Sequence, residues 1–589
     1  GGAKPGGEKK PKKTYVKRRP EKVLVLPLYS MLPSNLQLQV FNRVPKGTRL
    51  IVVATNVAET SLTIPGVKYV IDTGRVKRKE HCQRSGVSAF KIDWTSQASA
   101  NQRAGRAGRT SPGHCYRLFS SAVYENQFDK FSEPEILTSP IESVILQMKS
   151  MCIPDVRTFP YPTPPEEEDV EQAITTLTRL GALTEDGEDI TPLGRQLAAF
   201  PIMPRYAKML VLGHQGGCLP YAVAMVAALS VENPILYDKA DAVQMQEDDD
   251  DHDSELDEKE GGGEEAKDKP GAITRRDLWY HPKSDLLAIL KALGAYTYSG
   301  ATDEFAVSVG LQPKHMREMA SLREQLSGLI RMYYPKLGSA LDGEAGDALS
   351  RPPSEKQETL LRQVALAGLI DRVARRDTTF RGTRPGYATL WTDQVVFLHP
   401  HTCVKAAEPE WVCFLELTET SRVYMKGVTA ISPSWLPRLA PSMCDRTDPL
   451  SDPPPRYDTK TDDMLAVIAP IFGPRNWELP PQTVPLPAGP DRYKHFARLL
   501  LEGKVIEGFK VFSPWLSDRP ALLTRSWSQQ KSASLLSALQ TRKVSSKEAL
   551  LAAWEHDGGY LLPEMALWVR KEHHKSLKSV WPPSDQGTA

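Results

Sequence analysis

Three short apolar runs, set apart by helix-length spacers, constrain the fold more than any other feature of the chain. "KVLVLPLYSMLP" (22–33), "RLIVVATN" (49–56) and "VKYVIDTG" (67–74) read as buried strands, and "LQLQVF" between the first two reads as a helix. Apolar strands alternating with helices predict a parallel α/β sheet. "VKRKEHCQRSGVSAFKI" (76–92), with a glycine near its turn, predicts a hairpin. At 589 residues the chain is too long for one core, and its length predicts about three to five domains.

Downstream the pattern changes. In "EEEDVEQAITTLTRLGAL", Val170, Ile174, Leu177 and Leu180 recur at helical spacing, acids occupy the first turn and Gly181 ends the helix. "ALTEDGEDIT" then reads as a short hairpin, so the local prediction is a helix plus a wing. Mostly helical sequence continues to about residue 335, interrupted by an acidic, Gly-rich insert at 247–271 that reads as a disordered loop. From about 385, "YATLW", "QVVFLHP", "EWVCFLEL" and "RVYMKGVTAI" predict short strands and a small β barrel. The Pro-rich stretch 449–490 reads as a linker or loop, followed by a helical, Trp-bearing region ending near 583.

The 74 basic and 72 acidic residues nearly balance, but they are segregated. Residues 1–22 hold nine Lys or Arg against two Glu, whereas 247–258 hold nine acids in twelve positions. The opening "GGAKPGGEKKPKKTYVKRRP" reads as disordered, suited to nucleic-acid contact or localisation, or as a plain solvated linker. Seven cysteines without a CxxC pair indicate neither a zinc site nor a disulfide framework, and suit a reducing compartment. The longest apolar run, "CLPYAVAMVAALSV" (218–231), is shorter than the roughly 20 residues a bilayer span needs, so no membrane segment is expected.

"QRAGRAGR" (102–109) concentrates three arginines in eight positions. If it is helical, at about 100° per residue, Gln102, Arg106 and Arg109 fall within about 60° of one another. Gly105 and Gly108 lie elsewhere, where they would let another element approach or bend the helix. Such a face offers only donors and suits a transferring phosphoryl group. The alternative is an exposed basic helix facing solvent or nucleic acid.

These residues carry a family resemblance. "VVATNVAETSLTIPGVKYVIDTGR" (52–75), followed by "QRAGRAGR", resembles motifs V and VI of the DEAH-box RNA helicases, and "PLYSMLP" (27–33) resembles motif IV. "LGALTEDGEDITPLGRQLAAFPIMP" (180–204) is similar to the family's winged helix, "LREQL" (322–326) to its helical bundle, and "VFLHPHTCVK" with "VYMKGVTAISPSWLPRLAP" to its OB fold. The resemblance covers residues 23 to about 475. It is strongest to the nucleolar enzyme of small-subunit ribosome biogenesis linked to U3 snoRNA release.

The resemblance implies a multidomain fold: a disordered basic segment (1–22), an incomplete RecA-like α/β domain (23–136), a winged helix (137–200) and a helical bundle (201–352). An OB-fold β barrel with linker (353–485) and a C-terminal α/β extension (486–589) follow. It implies that Gln102, Arg106 and Arg109 are γ-phosphate sensors and arginine fingers, with Arg103 set aside as structural. Phe41 would stack on adenine, or else serve the core. Ser61 and Thr63 would lie near the ribose, although Pro65 stands where many relatives carry Asp. Ser30, Thr55 and Asn56 would hold the RNA backbone, or merely cap a strand; Lys314 and Arg323 would contact RNA from the bundle.

Two departures matter. The chain has no GxxxxGK[ST] and no DEAH tetrapeptide, and the Trp-Cys dipeptide of the bundle is absent where "TDEFAVSVGL" stands. The expectation is therefore the C-terminal part of an ATP-dependent RNA helicase, inactive alone, with the ligands for ATP-bound Mg2+ in a preceding part and no metal site here. Translocation would run 3′ to 5′ on single-stranded RNA. The implied setting is the nucleolus, with pre-rRNA or U3 snoRNA as RNA and a preribosomal protein as activator. The alternative is a non-catalytic RNA-binding or preribosome-binding module.

Overall fold

The computed structural model describes residues 22–583 apart from 30, 31, 33, 61–63, 82–86, 110, 237–277, 335–337, 342–348, 350, 383, 421, 446 and 525–529. The acidic insert 247–271 and the basic opening segment thus lie outside the described residues. The chain divides into two compact units, Gly1–Ala430 and Ile431–Ala589.

The first unit opens with β1 (Lys22–Leu28) and β2 (Thr48–Ala54), which pair in parallel from Lys22↔Thr48 to Leu28↔Ala54. β3 (Tyr69–Asp72) pairs in parallel with β6 (His114–Arg117). The predicted parallel strands are present, but as two separate pairs. Many of their apolar side chains stand outward, with Val25 56%, Val53 64% and Ile71 68% exposed while Leu28 is buried, on a strand type usually covered on both faces. "LQLQVF" is not a regular helix: the helix stops at Gln37 and tightens to a 3-10 turn over Leu38–Phe41.

The predicted hairpin forms as β4 (Arg75–His81) and β5 (Val87–Trp94). A helix at Glu167–Arg179 buries Val170, Ile174 and Leu177, and the bridge Leu183↔Ile190 closes the wing beyond it. The run "LPYAVAMVAAL" forms a helix (Leu219–Leu229) buried nearly all round, at the centre of a helical cluster. A helix apolar on every side belongs in a core or a membrane. Here it is in the core, and no described helix is long and apolar enough to cross a membrane.

Strands β7 (Val373–Arg376), β8 (Tyr387–Thr389), β9 (Phe397–Leu398), β10 (Trp411–Cys413), β11 (Glu416–Glu419), β12 (Val423–Lys426) and β13 (Thr429–Ala430) follow. They do not form one closed sheet among the described residues. One sheet runs β13-β10-β7-β8; the other runs β4-β5-β11-β12-β9 and takes in the earlier hairpin. β5 pairs in parallel with β11 through Val87↔Leu417 to Ala89↔Glu419. Two side chains lock this region to the helices. Asp285 accepts from Thr402 Oγ1 (2.8 and 2.9 Å), Cys403 N (2.7 Å) and Val428 N (2.8 Å). Arg205, 4% exposed, grips both oxygens of Asp371 at 3.1 and 3.3 Å.

The second unit corrects two expectations. The proline-rich stretch is no plain linker: β14 (Cys444–Asp445), β15 (Arg456–Asp458), β16 (Asp463–Ile468), β17 (Ile471–Phe472), β18 (Trp477–Glu478) and β19 (Gln482–Pro485) form two three-stranded sheets. Pro454, Pro455, Pro470 and Pro481 fall between strands, and Pro485 ends the edge strand β19, where no ladder donor is needed. Nor is 486–589 an α/β extension. Among its described residues it is helical, apart from the isolated bridge Leu516↔Val569, and it packs around Phe496, Phe509, Phe512 and Trp568.

Candidate functional site

The arginine-rich segment belongs to the helix Gln97–Gly105, labelled α1, which starts at Ser96, whose Oγ accepts from Ser99 N at 3.2 Å. The α-helix stops at Gly105. Arg106, Ala107 and Gly108 then donate to carbonyls three residues back, at 3.1, 3.2 and 3.2 Å. This 3-10 bonding replaces the predicted α-helical geometry from Arg106 onward, so Gln102, Arg106 and Arg109 do not stand on one continuous α-helix. Gln102 and Arg109 are exposed and Arg106 is half-buried.

Of the two roles expected of the glycines, bending fits: the helix ends there, while a Cβ on Gly105 would meet nothing within 4 Å. Close approach falls instead to Gly113. A Cβ there would lie 2.2 Å from the Ala107 oxygen and 2.7 Å from the Lys68 oxygen. Gly113 thereby lets β6 begin directly against the arginine turn.

Arg103 is the anchor. Its Nε donates to Glu59 Oε2 at 3.0 Å, its Nη1 to Asp72 Oδ1 at 3.1 Å and to the Arg75 carbonyl at 3.2 Å, and its Nη2 to Thr95 Oγ1 at 3.2 Å. Arg106 Nη2 donates to the main-chain oxygen of the same Glu59. Glu59 therefore ties both arginines to the short helix Val57–Thr60, whose first turn is built on Thr55 and Asn56 by bonds from Ala58 N to Thr55 O (3.2 Å) and Glu59 N to Asn56 O (2.9 Å). Glu59 and Asp72 were not singled out in advance, although both stand in the quoted motif V stretch.

Thr55 and Asn56 are exposed just beyond the C-terminal end of β2, and Thr55 N bonds the Leu28 oxygen at 3.1 Å, beside the end of β1. The carboxyl ends of parallel strands are where open α/β sheets bind ligands. Ser30, Ser61 and Thr63 lie outside the described residues. Phe41 closes its 3-10 turn half-buried, while the neighbouring Val40 is the core residue at 1% exposure.

Lys314 and Arg323 do not share a face. They are nine residues apart on the helix Pro313–Tyr333, about 180° round its axis. Lys314 pairs with Glu318 at 3.9 Å, and Arg323 donates to Thr297 Oγ1 at 3.4 Å. Among the described residues no group of three or more His, Cys, Asp or Glu could hold a metal ion.

Comparison with known proteins agrees with this order of domains. Residues 8–111 match the helicase conserved C-terminal domain. Residues 173–202 and 203–289 match the winged-helix and ratchet-like parts of the helicase-associated domain HA2. Residues 361–443 match the oligonucleotide/oligosaccharide-binding (OB) fold, and 508–585 the DEAH helicase DHX37 C-terminal domain. The chain is 41% identical to the human probable ATP-dependent RNA helicase DHX37 over 95% of its own length and 49% of that protein's. It is 39% identical to the Arabidopsis thaliana ATP-dependent RNA helicase DEAH13, over 95% and 47% of the two chains. Against the Saccharomyces cerevisiae probable ATP-dependent RNA helicase DHR1 the identity is 42%, over 67% and 32%. The chain spans about half the length of the curated relatives it matches. Its matched domains, in this order, and its relatives are those of one group of proteins: the chain belongs to the DEAH-box helicase family.

Proposed function

We propose that the chain acts as the C-terminal part of an ATP-dependent RNA helicase. In this reading Arg106, Arg109 and Gln102 meet the γ-phosphate of ATP held mainly by another domain, Phe41 stacks on the adenine, and Ser61 and Thr63 lie at the ribose. Ser30, Thr55 and Asn56 hold the backbone of single-stranded RNA, with Lys314 and Arg323 contributing from the bundle. Magnesium would accompany ATP; the described residues of this chain offer arginine and amide donors and no carboxylate cluster for the ion.

The observation that carries the reading is the double hold on Glu59. The short helix Val57–Thr60, which follows Thr55 and Asn56, is tied through Glu59 to Arg103 and Arg106. A change in how phosphate engages the arginines thus reaches the RNA-facing end of β2 through one residue. Arginine forks aimed at a transferring phosphoryl group stabilise its growing charge, and hydroxyl and amide groups can grip RNA without reading its sequence.

For the RNA we propose pre-rRNA or U3 snoRNA in the nucleolus, with a preribosomal protein as activator, and remodelling during small-subunit assembly as the outcome. The test is ATP hydrolysis by the 589-residue chain and by a longer protein that adds a phosphate-loop domain. RNA-stimulated turnover only by the longer protein fits the reading. Turnover by the chain alone, or none by either, counts against it, and the second result favours a binding module.

A further inference from the structure

The second unit contains a cavity of about 630 Å³ that plays no part in the site above. Its size falls in the range of ligand pockets. Five cations line it: Arg456, Arg498, Lys504, Lys510 and Lys547. Against them stand Glu507, in the lining, which pairs with Lys510 at 3.0 Å, and Glu502, which pairs with Arg498 at 2.9 Å and Lys504 at 2.7 Å. Asp462 stands against the lining as well, at the Tyr457 hydroxyl and the Lys547 amide, so five cations face three carboxylates. Most of the lining falls between the segments that match the OB fold and the DHX37-type C-terminal domain.

The backbone brings two of these charges together. Gly503 has φ +64°, and a Cβ there would lie 2.6 Å from Lys510 Cγ and 2.8 Å from Lys510 N. Only glycine lets the turn that carries Lys504 seat directly on the segment that carries Lys510. Both lysines keep their heads in water, at 59% and 62% exposure, so a ligand can reach them. Like charges gathered in this way are stabilised by an anion.

The lining offers little else that could read a ligand. The Tyr457 hydroxyl is already engaged with Asp462. The amides that open the helix Lys547–His556 are also taken, Lys547 N and Glu548 N by Asp462 at 2.8 and 3.0 Å and Ala549 N by Ser546 Oγ at 3.2 Å. What remains is charge and the Thr459 side chain over an apolar floor of Leu499 and Val505.

We propose that this pocket is a second RNA-binding site, which holds the phosphodiester backbone without reading sequence. The choice of RNA over an acidic protein segment rests on the helicase reading above. A site of this kind would hold RNA through turnover, because nothing in it depends on ATP.

The test is fluorescence titration of the 589-residue chain with a labelled 20-nucleotide oligouridylate, across a salt series and without nucleotide. The Arg456→Ala/Lys504→Ala/Lys510→Ala variant should weaken binding about tenfold near 0.1 M salt and reduce the slope of log K against log salt by about 2. The loss should be equal for an oligoadenylate. In the unaltered chain, RNA should protect Lys504 and Lys510 from acetylation, a readout that does not depend on how the variant folds. An unchanged affinity and slope, or no protection, overturns the proposal. So does a labelled polyglutamate that binds the chain and loses affinity in the variant while the RNA titration stays the same. The Thr55→Ala/Asn56→Ala variant is titrated in parallel: a wild-type curve there counts against the helicase reading alone, whereas a wild-type curve for the pocket variant counts against the pocket alone.

Discussion

Arg103 Nη1 lies 3.1 Å from Asp72 Oδ1, in a pair whose side chains are 14% and 2% exposed. The same guanidinium holds Glu59 at 3.0 Å. One side chain of the arginine-rich segment therefore joins β3 to the short helix after β2, with Arg106 half-buried against the Glu59 main chain and Arg109 exposed.

Removing Arg103 would leave two enclosed carboxylates without their cation. Breaking one partner of a buried pair costs about 3–5 kcal/mol, so Arg103→Ala should strongly destabilise this domain. Arg103→Lys should not restore it, since an ammonium lacks the planar fork. Hydrogen exchange is the measurement: amides of Val57–Thr60 and β3 should exchange much faster in both variants, with the helix Pro490–Leu501 unaffected.

Arg106 and Arg109 should behave differently. In a protein that contains the phosphate-loop domain, Arg106→Ala or Arg109→Ala should reduce turnover by about 10³ or more, the order expected of an arginine finger. RNA binding without nucleotide should change little. Loss of RNA affinity with hydrolysis retained would assign this face to nucleic acid instead.

A pH prediction follows from Asp371. Burial raises its pKa, but Arg205 and Arg372 outweigh burial and hold it at about 2, below the ordinary carboxylate value of about 3.9. A depressed carboxyl contributes stability above the unfolded pKa and loses it as pH falls through the folded one. The contribution should therefore be complete above pH ~4 and disappear towards pH ~2. Asp371→Asn should be less stable at neutral pH and show a flatter acid limb in denaturation followed between those limits; an identical limb would contradict the assignment.

Much of this arrangement was legible beforehand. Periodicity revealed the strands that became β1, β2 and β3, the hairpin of β4 and β5, and the helix of Val170, Ile174 and Leu177. The 3-10 tightening after Gly105 was not legible, because helical spacing and three-residue spacing both place Arg106 and Arg109 together. The holds on Glu59 and Asp72 were hidden for another reason: they join residues 44 and 31 positions apart, and no local pattern reports such a contact. In 449–490 the prolines masked "DMLAVI", whose alternate residues Met464, Ala466 and Ile468 are buried. The paired strands lie between the prolines, and proline content alone does not reveal them.

Phe41 separates two roles cleanly. Phe41→Ala should weaken ATP binding, read as a raised KM, with little change in thermal stability, since Val40 carries the core contact. A fall in stability at unaltered nucleotide affinity would return Phe41 to the core.

The central claim is that Thr55 and Asn56 transmit RNA binding to the arginines through Glu59. Its most direct test is the ratio of RNA-stimulated to basal ATP hydrolysis, measured with Thr55→Ala/Asn56→Ala in the protein that includes the phosphate-loop domain, alongside unwinding of a duplex with a 3′ overhang. The account predicts a ratio that falls towards one and no strand separation, to the same degree for RNAs of different sequence. A wild-type ratio with wild-type unwinding would contradict it, and would leave these two residues as the cap of a strand.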